Sequence, residues 1–315
     1  MGDILLGTSG WSYEEWVGSF YESSKESKLG YYSKVFKTAE IDSTFYAYPS
    51  RGLVWGWLKA TPPGFTFTAK VPQLITHEKM LDLKEGVEQD LVRFCDLMEP
   101  LRNARKLGCL LIQLPPRFAI DISTLEDFLK VLPQDFEYAV EFRHLSWMKN
   151  ETWKLLEDYK VAYTIVDEPL LPPEIHITSD FAYIRWHGRG KRPWFDYLYS
   201  SEELKPWIPK VEETSSSTSK VYGYFNNHFH GYAVENCLQV LEILGKLSPE
   251  QAEAKKVVDD YRRNRSTPRV GRDLLSFIGP EAVSETKTKE LLRDFMGVGR
   301  LRRAQDIKDD EVTMK

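Results

Sequence analysis

Residues 108–166 read GCLLIQLPPRFAIDISTLEDFLKVLPQDFEYAVEFRHLSWMKNETWKLLEDYKVAYTIV. Three apolar, β-rich runs (108–114, 137–142 and 161–166) frame two helical stripes. Ser123 stands as an N-cap with Glu126 as its capping-box partner, and Leu125, Phe128, Leu129 and Leu132 follow at helical spacing. The second stripe opens at Asn150-Glu-Thr-Trp-Lys-Leu-Leu-Glu-Asp-Tyr. Strands alternating with helices at this spacing predict a parallel sheet.

On either side of this stretch, five more runs of the same kind occur at 4–7, 38–43, 65–70, 181–186 and 221–225. The eight starts lie on average about 31 residues apart, close to one βα unit each. A further stripe, Val87, Leu91, Phe94, Cys95, Met98 and Leu101, marks a helix before the fourth run. Eight units predict a single (β/α)8 TIM barrel over residues 1–246. A doubly wound open sheet is the competitor, and the lack of GxGxxG after the first run weakens its dinucleotide-binding version. Residues 247–315 read as a C-terminal helical extension, with helices at 249–264 and 284–296 and a polar tail. The polar, low-complexity stretch 212–220 reads as a mobile surface loop.

Composition narrows the function. The 315 residues are 42% hydrophobic and 28% charged, which excludes a largely disordered chain. Lys and Arg number 42 against 47 Asp and Glu, for a net charge of −5, so no global basic field draws in nucleic acid. Cys95, Cys109 and Cys237 are widely spaced with no CxxC, which fits a reducing, cytoplasmic setting. The first residues lack the basic and apolar regions of a signal peptide, and no apolar run approaches a membrane span.

The chemistry is expected where strands end, because a barrel builds its site at their carboxyl ends. Seven of the eight runs carry polar groups there. Glu40 and Asp42 share one face, as do Glu141 and Arg143, Arg185 and His187, and Asn226 and His228. Strands buried on both sides should be nearly continuous hydrophobe, and ionisable groups inside them are costly unless paired. Repetition of one violation predicts a shared polar centre. Glu141, His187, Asp167 and Glu40 are the catalytic candidates. Arg143, Arg185, Lys70, Asn226, Asn227, His77 and Gln113 are the binding candidates, with Trp11, Tyr46, Trp147 and Trp186 as stacking walls. Each has a plainer reading. Glu40 fits a buried partner for Lys70 or Arg143, Glu141 and Arg143 fit a rim pair, and His187 fits a satisfied core histidine. Asp167 fits a turn or cap, and Asn226-Asn227 fits a loop-shaping pair.

These strand ends resemble the domain of unknown function 72 family, the YecE-like barrel proteins. The matching words are Gly7-Thr-Ser-Gly-Trp-Ser-Tyr13, Glu40-Ile-Asp-Ser-Thr-Phe-Tyr46 with Pro49, and Phe67-Thr-Ala-Lys-Val-Pro72 with Ile75-Thr-His77. Next come Leu111-Ile-Gln-Leu-Pro-Pro116 with Phe118, Glu141-Phe-Arg-His144 with Trp147, and Arg185-Trp-His-Gly188. Asn226-Asn227 and Gly231-Tyr-Ala233 close the series. The resemblance runs from residue 4 to about 245. It implies a TIM barrel and assigns no activity. Asp42 stands where the family usually shows Asn, which adds a negative charge beside Glu40. The chain from Lys246 extends past the usual family end.

Three functions follow as expectations. The mixed charges suit an enzyme that moves protons on a small anionic metabolite, a phosphosugar or nucleotide, by hydrolysis or isomerisation. Arg143 and Arg185 would grip its phosphate or carboxylate. By analogy with endonuclease-IV-like barrels, a divalent-metal phosphodiesterase or endonuclease is the alternative. His228-Phe-His230 would be the start of a ligand set, and Arg262, Arg263, Arg265, Arg269 and Arg272 would meet a phosphate backbone. A solvated helix end accounts for those arginines equally well. The third expectation is a non-catalytic ligand-binding or scaffold barrel.

Overall fold

Inward-facing apolar side chains and the helices between strands build a barrel in the computed structural model, which describes residues 1–191 and 193–266. The order is β1 Asp3–Thr8, α1 Lys28–Val35, β2 Thr38–Ile41, α2 Arg51–Ala60, β3 Thr66–Lys70, α3 Val87–Asn103, β4 Leu107–Gln113, α4 Ile122–Lys130, β5 Glu137–Glu141, α5 Asn150–Asp158 and β6 Ala162–Asp167. Then come β7 Phe181–Trp186, α6 Ser201–Leu204, α7 Trp207–Ser217, β8 Lys220–Phe225, α8 Tyr232–Ile243 and α9 Pro249–Ser266. Residues 168–180, between β6 and β7, carry no helix.

All pairings are parallel, in the order β1-β8-β7-β6-β5-β4-β3-β2. The seam between β1 and β2 is closed differently. Ser9 bridges Glu40, and the Gly10 amide donates to the Glu40 carbonyl at 2.8 Å. Below them, the Tyr32 hydroxyl from α1 accepts from the Thr8 amide at 2.9 Å and donates to the Thr38 carbonyl at 3.1 Å. A phenol here takes the place of a ladder bond. The strands approach so closely that a Cβ on Gly7 would stand 2.3 Å from the Thr38 oxygen, which requires glycine.

Two apolar layers follow from strand alternation. Outside, one large cluster joins the outward strand faces to the helices and includes Ile112, Val140, Ile165 and Ile184. Inside, Leu5, Cys109, Leu111, Ala139, Ala162, Phe181, Tyr183, Tyr222 and Tyr224 fill the barrel. The Tyr224 and Tyr183 phenols are satisfied there: Tyr224 Oη lies 2.6 Å from Thr38 Oγ1, and Tyr183 Oη lies 2.8 Å from Thr68 Oγ1.

Two local expectations fail for physical reasons. Ser123 is not the cap of α4; Asp121 accepts from the Thr124 amide at 3.0 Å, so the helix starts earlier. The 212–220 stretch is mostly helix rather than loop. Trp207, Val211, Thr214 and Ser215 give α7 a buried face. On the outer face, Ser216 and Ser217 donate back to the Glu212 and Glu213 carbonyls.

In α9, Ala254 and Val258 join the outer core, Lys255 pairs with Glu242 at 3.3 Å, and Arg262 pairs with Glu235 at 2.5 Å. The expected helix at 284–296 lies outside the described residues. Among those described, no helix is long and apolar enough to cross a membrane.

Candidate functional site

The strand alternation that fills the barrel with phenols also decides what stands at its mouth. Two residues beyond Thr38, Thr68, Ala139 and Tyr183, the inward positions are Glu40, Lys70, Glu141 and Arg185. All four are buried. Arg185 stands between the two carboxylates. Its Nη2 donates to Glu40 Oε1 at 2.6 Å and its Nη1 to Glu141 Oε2 at 2.7 Å. Gln113 Oε1 lies 3.4 Å from Nη1. Ser9 Oγ at 2.5 Å and Tyr183 Oη at 2.6 Å complete Glu40. Both Arg185 amino groups are therefore engaged by protein, while Nε has no acceptor among the described residues.

Glu141 is less fully satisfied. Its Oε1 lies 3.0 Å from Arg143 Nε and 3.3 Å from His187 Nε2, without a well-aligned hydrogen bond to either. His187 Nε2 likewise lacks an aligned partner among the described residues. Burial alone would raise the Glu141 carboxyl, but Arg185 and then Arg143 hold it well below the usual range. Burial, and then the Arg143 charge, push His187 down to about 3, so its ring is neutral. Asn226 Nδ2 lies 3.0 Å from His187 Nδ1. As an amide nitrogen only donates, this contact places the ring proton on Nε2. A buried donor and a buried acceptor, both with unused capacity, thus stand side by side.

Arg143 Nη1 pairs with Glu168, which was not among the expected site residues, and Nη2 has no acceptor among the described residues. Lys70 Nζ has no hydrogen-bond or ion-pair partner among them either; it lies 4.1 Å from the centre of the Phe45 ring. His77 meets the same ring edge-on. It sits in a π-helical turn, Leu74–Glu78, followed by Met80 and Leu81 at φ of 51° and 65°. Such turns and strained backbone concentrate at functional sites. Burial, then Lys70, then Arg117, push His77 down to about 4, which marks this corner of the mouth as electropositive.

The remaining candidates scatter. Asp167 points to the other side of β6, where Arg189 clamps it at 2.7 and 2.8 Å and Trp207 Nε1 donates at 2.7 Å. Asn227 ties Tyr197 to Asn236 of α8. Trp11 packs in the outer core against Trp57 and Phe67. Trp147 donates to the Phe118 carbonyl, and Trp186 stacks on Phe225, both fully buried. Tyr46 is 72% exposed beside Phe45. Counting inward from Ala162 and Thr164 reaches Val166 and then Glu168, so the alternation that selects Glu40 also points to Glu168. The same count finds Ser9 and Tyr183. Nothing local foretells Arg189 or Trp207, which meet Asp167 from a loop and a later helix.

The donors do not suit a divalent metal. Among the described residues no three His, Cys, Asp or Glu side chains form a ligand cluster. The mouth carboxylates already face guanidinium groups, which repel a cation. His228 is stacked on Tyr13, and His230 faces Glu15 and Asp196 at 3.9 and 3.8 Å. Arg263 pairs with its neighbour Asp260, while Arg269, Arg272 and the Arg265 side chain lie outside the described residues.

The buried histidines predict an acid limb of stability. Each is neutral when folded and takes up a proton when unfolded below about pH 6.5. Their contribution is complete above that value and drains as pH falls towards about 4 for His77 and about 3 for His187. Near pH 5 unfolding should take up about two extra protons, roughly 2.7 kcal/mol lost per pH unit. Urea midpoints from pH 7 to 4.5 test this. His77→Asn and His187→Asn should each flatten the slope by about half; an unchanged slope in both variants rejects it.

Known proteins share this architecture. A sequence model of the family described as "Protein of unknown function DUF72" matches residues 5–257, so the match reaches into α9, past the end expected from the motifs. UPF0759 protein YunF of Bacillus subtilis is 27% identical over 270 residues, covering 76% of this chain and 94% of that protein. UPF0759 protein YecE of Escherichia coli is 32% identical over 142 residues, 45% of this chain and 48% of that one. The crystal structure of a DUF72 family protein from Thermotoga maritima superposes with a TM-score of 0.70 at 36% identity, covering 77% of this chain and 99% of that one.

Proposed function

The chain belongs to the DUF72 family, and from its mouth geometry we propose an enzyme that performs acid–base chemistry on a small phosphate- or carboxylate-bearing substrate. The observation that carries this reading is the pair of buried atoms with unused capacity, Glu141 Oε1 and His187 Nε2, beside cationic groups that lack a full set of acceptors, Lys70 and Arg143. Buried polar groups are normally satisfied, so such a cluster is a place for ligand atoms.

The positive corner of Lys70, Arg117 and Arg143, with the neutral His77 ring beside it, would hold the anion. Glu141 would accept a substrate proton, and His187 Nε2–H would donate a hydrogen bond to the oxygen where charge develops. The guanidinium groups that keep Glu141 ionised also weaken it as a base. Proton abstraction therefore depends on Lys70 and Arg143 stabilising the charge left on the substrate. Arg185 would position both carboxylates rather than grip the substrate.

Calorimetry with inorganic phosphate and a panel of phosphosugars, nucleotides and small carboxylates tests binding. We expect saturable, salt-sensitive heats, and an affinity about 10- to 100-fold weaker in Arg143→Met, the loss of a charge-assisted hydrogen bond of roughly 1.5–3 kcal/mol. No heat from any panel member, or equal affinity in the variant, rejects the reading.

A further inference from the structure

We propose that Lys70 is a covalent nucleophile whose Nζ forms an imine with an aldehyde or ketone carbonyl of the anionic substrate. This rests on the anion-binding reading above, leaves Arg143 and Arg117 to hold the anion while Lys70 reacts as the free amine, and narrows the substrate class to carbonyl compounds.

A second buried lysine in the same chain supplies the contrast. Lys106 is as inaccessible as Lys70, and its Nζ is satisfied by three oxygens: Leu58 O at 3.0 Å, Thr61 O at 2.6 Å and Thr61 Oγ1 at 3.0 Å. That is how a structural lysine is buried here. Lys70 is 9% exposed and has no such acceptor among the described residues. Three carboxylates share its surroundings, yet each is engaged elsewhere. Glu40 holds Ser9, Tyr183 and Arg185; Glu141 holds Arg185 through Oε2 and turns its unfilled Oε1 towards Arg143 and His187; Asp42 accepts from Tyr13 at 3.1 Å. Among the described residues, the Lys70 amine at the mouth meets no acceptor and is backed by the Phe45 ring.

Electrostatics agree with the geometry. Burial and then the Arg185 charge push Lys70 down to about 8, against opposing pulls from Glu40, Glu141 and Asp42. Desolvation beside another cation is the established way to obtain a nucleophilic amine near neutral pH.

The step balances without an oxidant or reductant. The Nζ lone pair attacks the carbonyl carbon, the C=O π pair moves to oxygen, and one Nζ proton follows it, giving a carbinolamine. The second Nζ proton leaves with that hydroxyl as water while the C=N bond forms. A proton taken from solvent by the imine nitrogen gives the iminium, the form that cyanoborohydride reduces and the electron sink that would ease removal of a proton from the adjacent carbon, the task given above to Glu141.

The test is reductive trapping on the full chain. Pyruvate, dihydroxyacetone phosphate and the neutral propanal are each incubated with sodium cyanoborohydride, followed by intact mass and peptide mapping. The proposal expects near-stoichiometric adduct at Lys70 with at least one anionic probe, about tenfold above any other lysine, rising with pH around a midpoint near 8. Lys70→Arg and Lys70→Met should abolish it with circular dichroism unchanged in at least one of them. Labelling confined to other lysines, at the level seen in these variants, overturns the proposal. If Lys70 reacts with propanal but with neither anion, the nucleophilic amine stands and the anion reading falls. If no probe reaches Lys70 while inorganic phosphate still binds, the imine falls and the anion reading stands.

Discussion

Arg185→Met should lower the unfolding free energy by at least about 3–5 kcal/mol, the cost of stripping the partner from a buried ion pair. Two such pairs meet at this residue. Glu40 and Glu141 are both fully buried and each holds a different amino group of the guanidinium, so its removal leaves two carboxylates facing a low-dielectric interior without their shared cation. Ser9 and Tyr183 still donate to Glu40, and Arg143 remains beside Glu141, which limits the loss. Urea unfolding with the slope held equal to that of the parent reads the change. The triple variant Glu40→Gln, Glu141→Gln, Arg185→Met should recover most of it, because neutralising both stranded charges removes the desolvation penalty. A drop below about 1 kcal/mol in the single variant would show that Arg185 does not organise the mouth.

Glu141→Gln should reduce turnover of whichever substrate the binding panel identifies by about 10²- to 10⁴-fold, the usual worth of a positioned acid or base. The amide keeps the shape and one acceptor for Arg185 but presents no carboxylate to the substrate. Binding should change less than kcat, because Lys70 and Arg143 hold the anion in either form. Steady-state kinetics on folded variant protein separates the two quantities. Unchanged kcat would move proton transfer to another group. If no panel member is turned over by the parent protein and the variant loses only stability, the non-catalytic reading gains.

The eight strands were legible because short apolar runs recurring at the length of a βα unit fit hardly any architecture but a parallel sheet. Predicted and observed strands differ by no more than two residues at either end. The helical stripe at Val87 to Leu101 is likewise buried as its spacing required. The two local departures share a cause: each turned on side-chain hydrogen bonds. Asp121 and Ser123 are both good caps, and the backbone path alone decides which one faces the free amides. Ser216 and Ser217 read as loop residues, until buried Val211 and Thr214 fix their segment as helix.

Convergence of polar groups at the strand ends was already written in the chain, since ionisable residues at period two inside apolar strands have nowhere else to point. That rule named Glu40 with Asp42, Glu141 with Arg143, Arg185 with His187 and Asn226 with His228, and the end of the third strand added Lys70. It is silent about who pairs with whom. The contacts that join Arg185 to Glu40 and Glu141 span 145 and 44 residues of chain. They depend on barrel closure, strand stagger and the Tyr32 seam. Three-dimensional packing turned Asp167 away towards Arg189 and Trp207 and brought Glu168 to Arg143. It also left Lys70 without an acceptor among the described residues while giving three to Lys106, because a local sequence sets which way a side chain points, whereas the strands and loops around it decide whether anything is there to meet it.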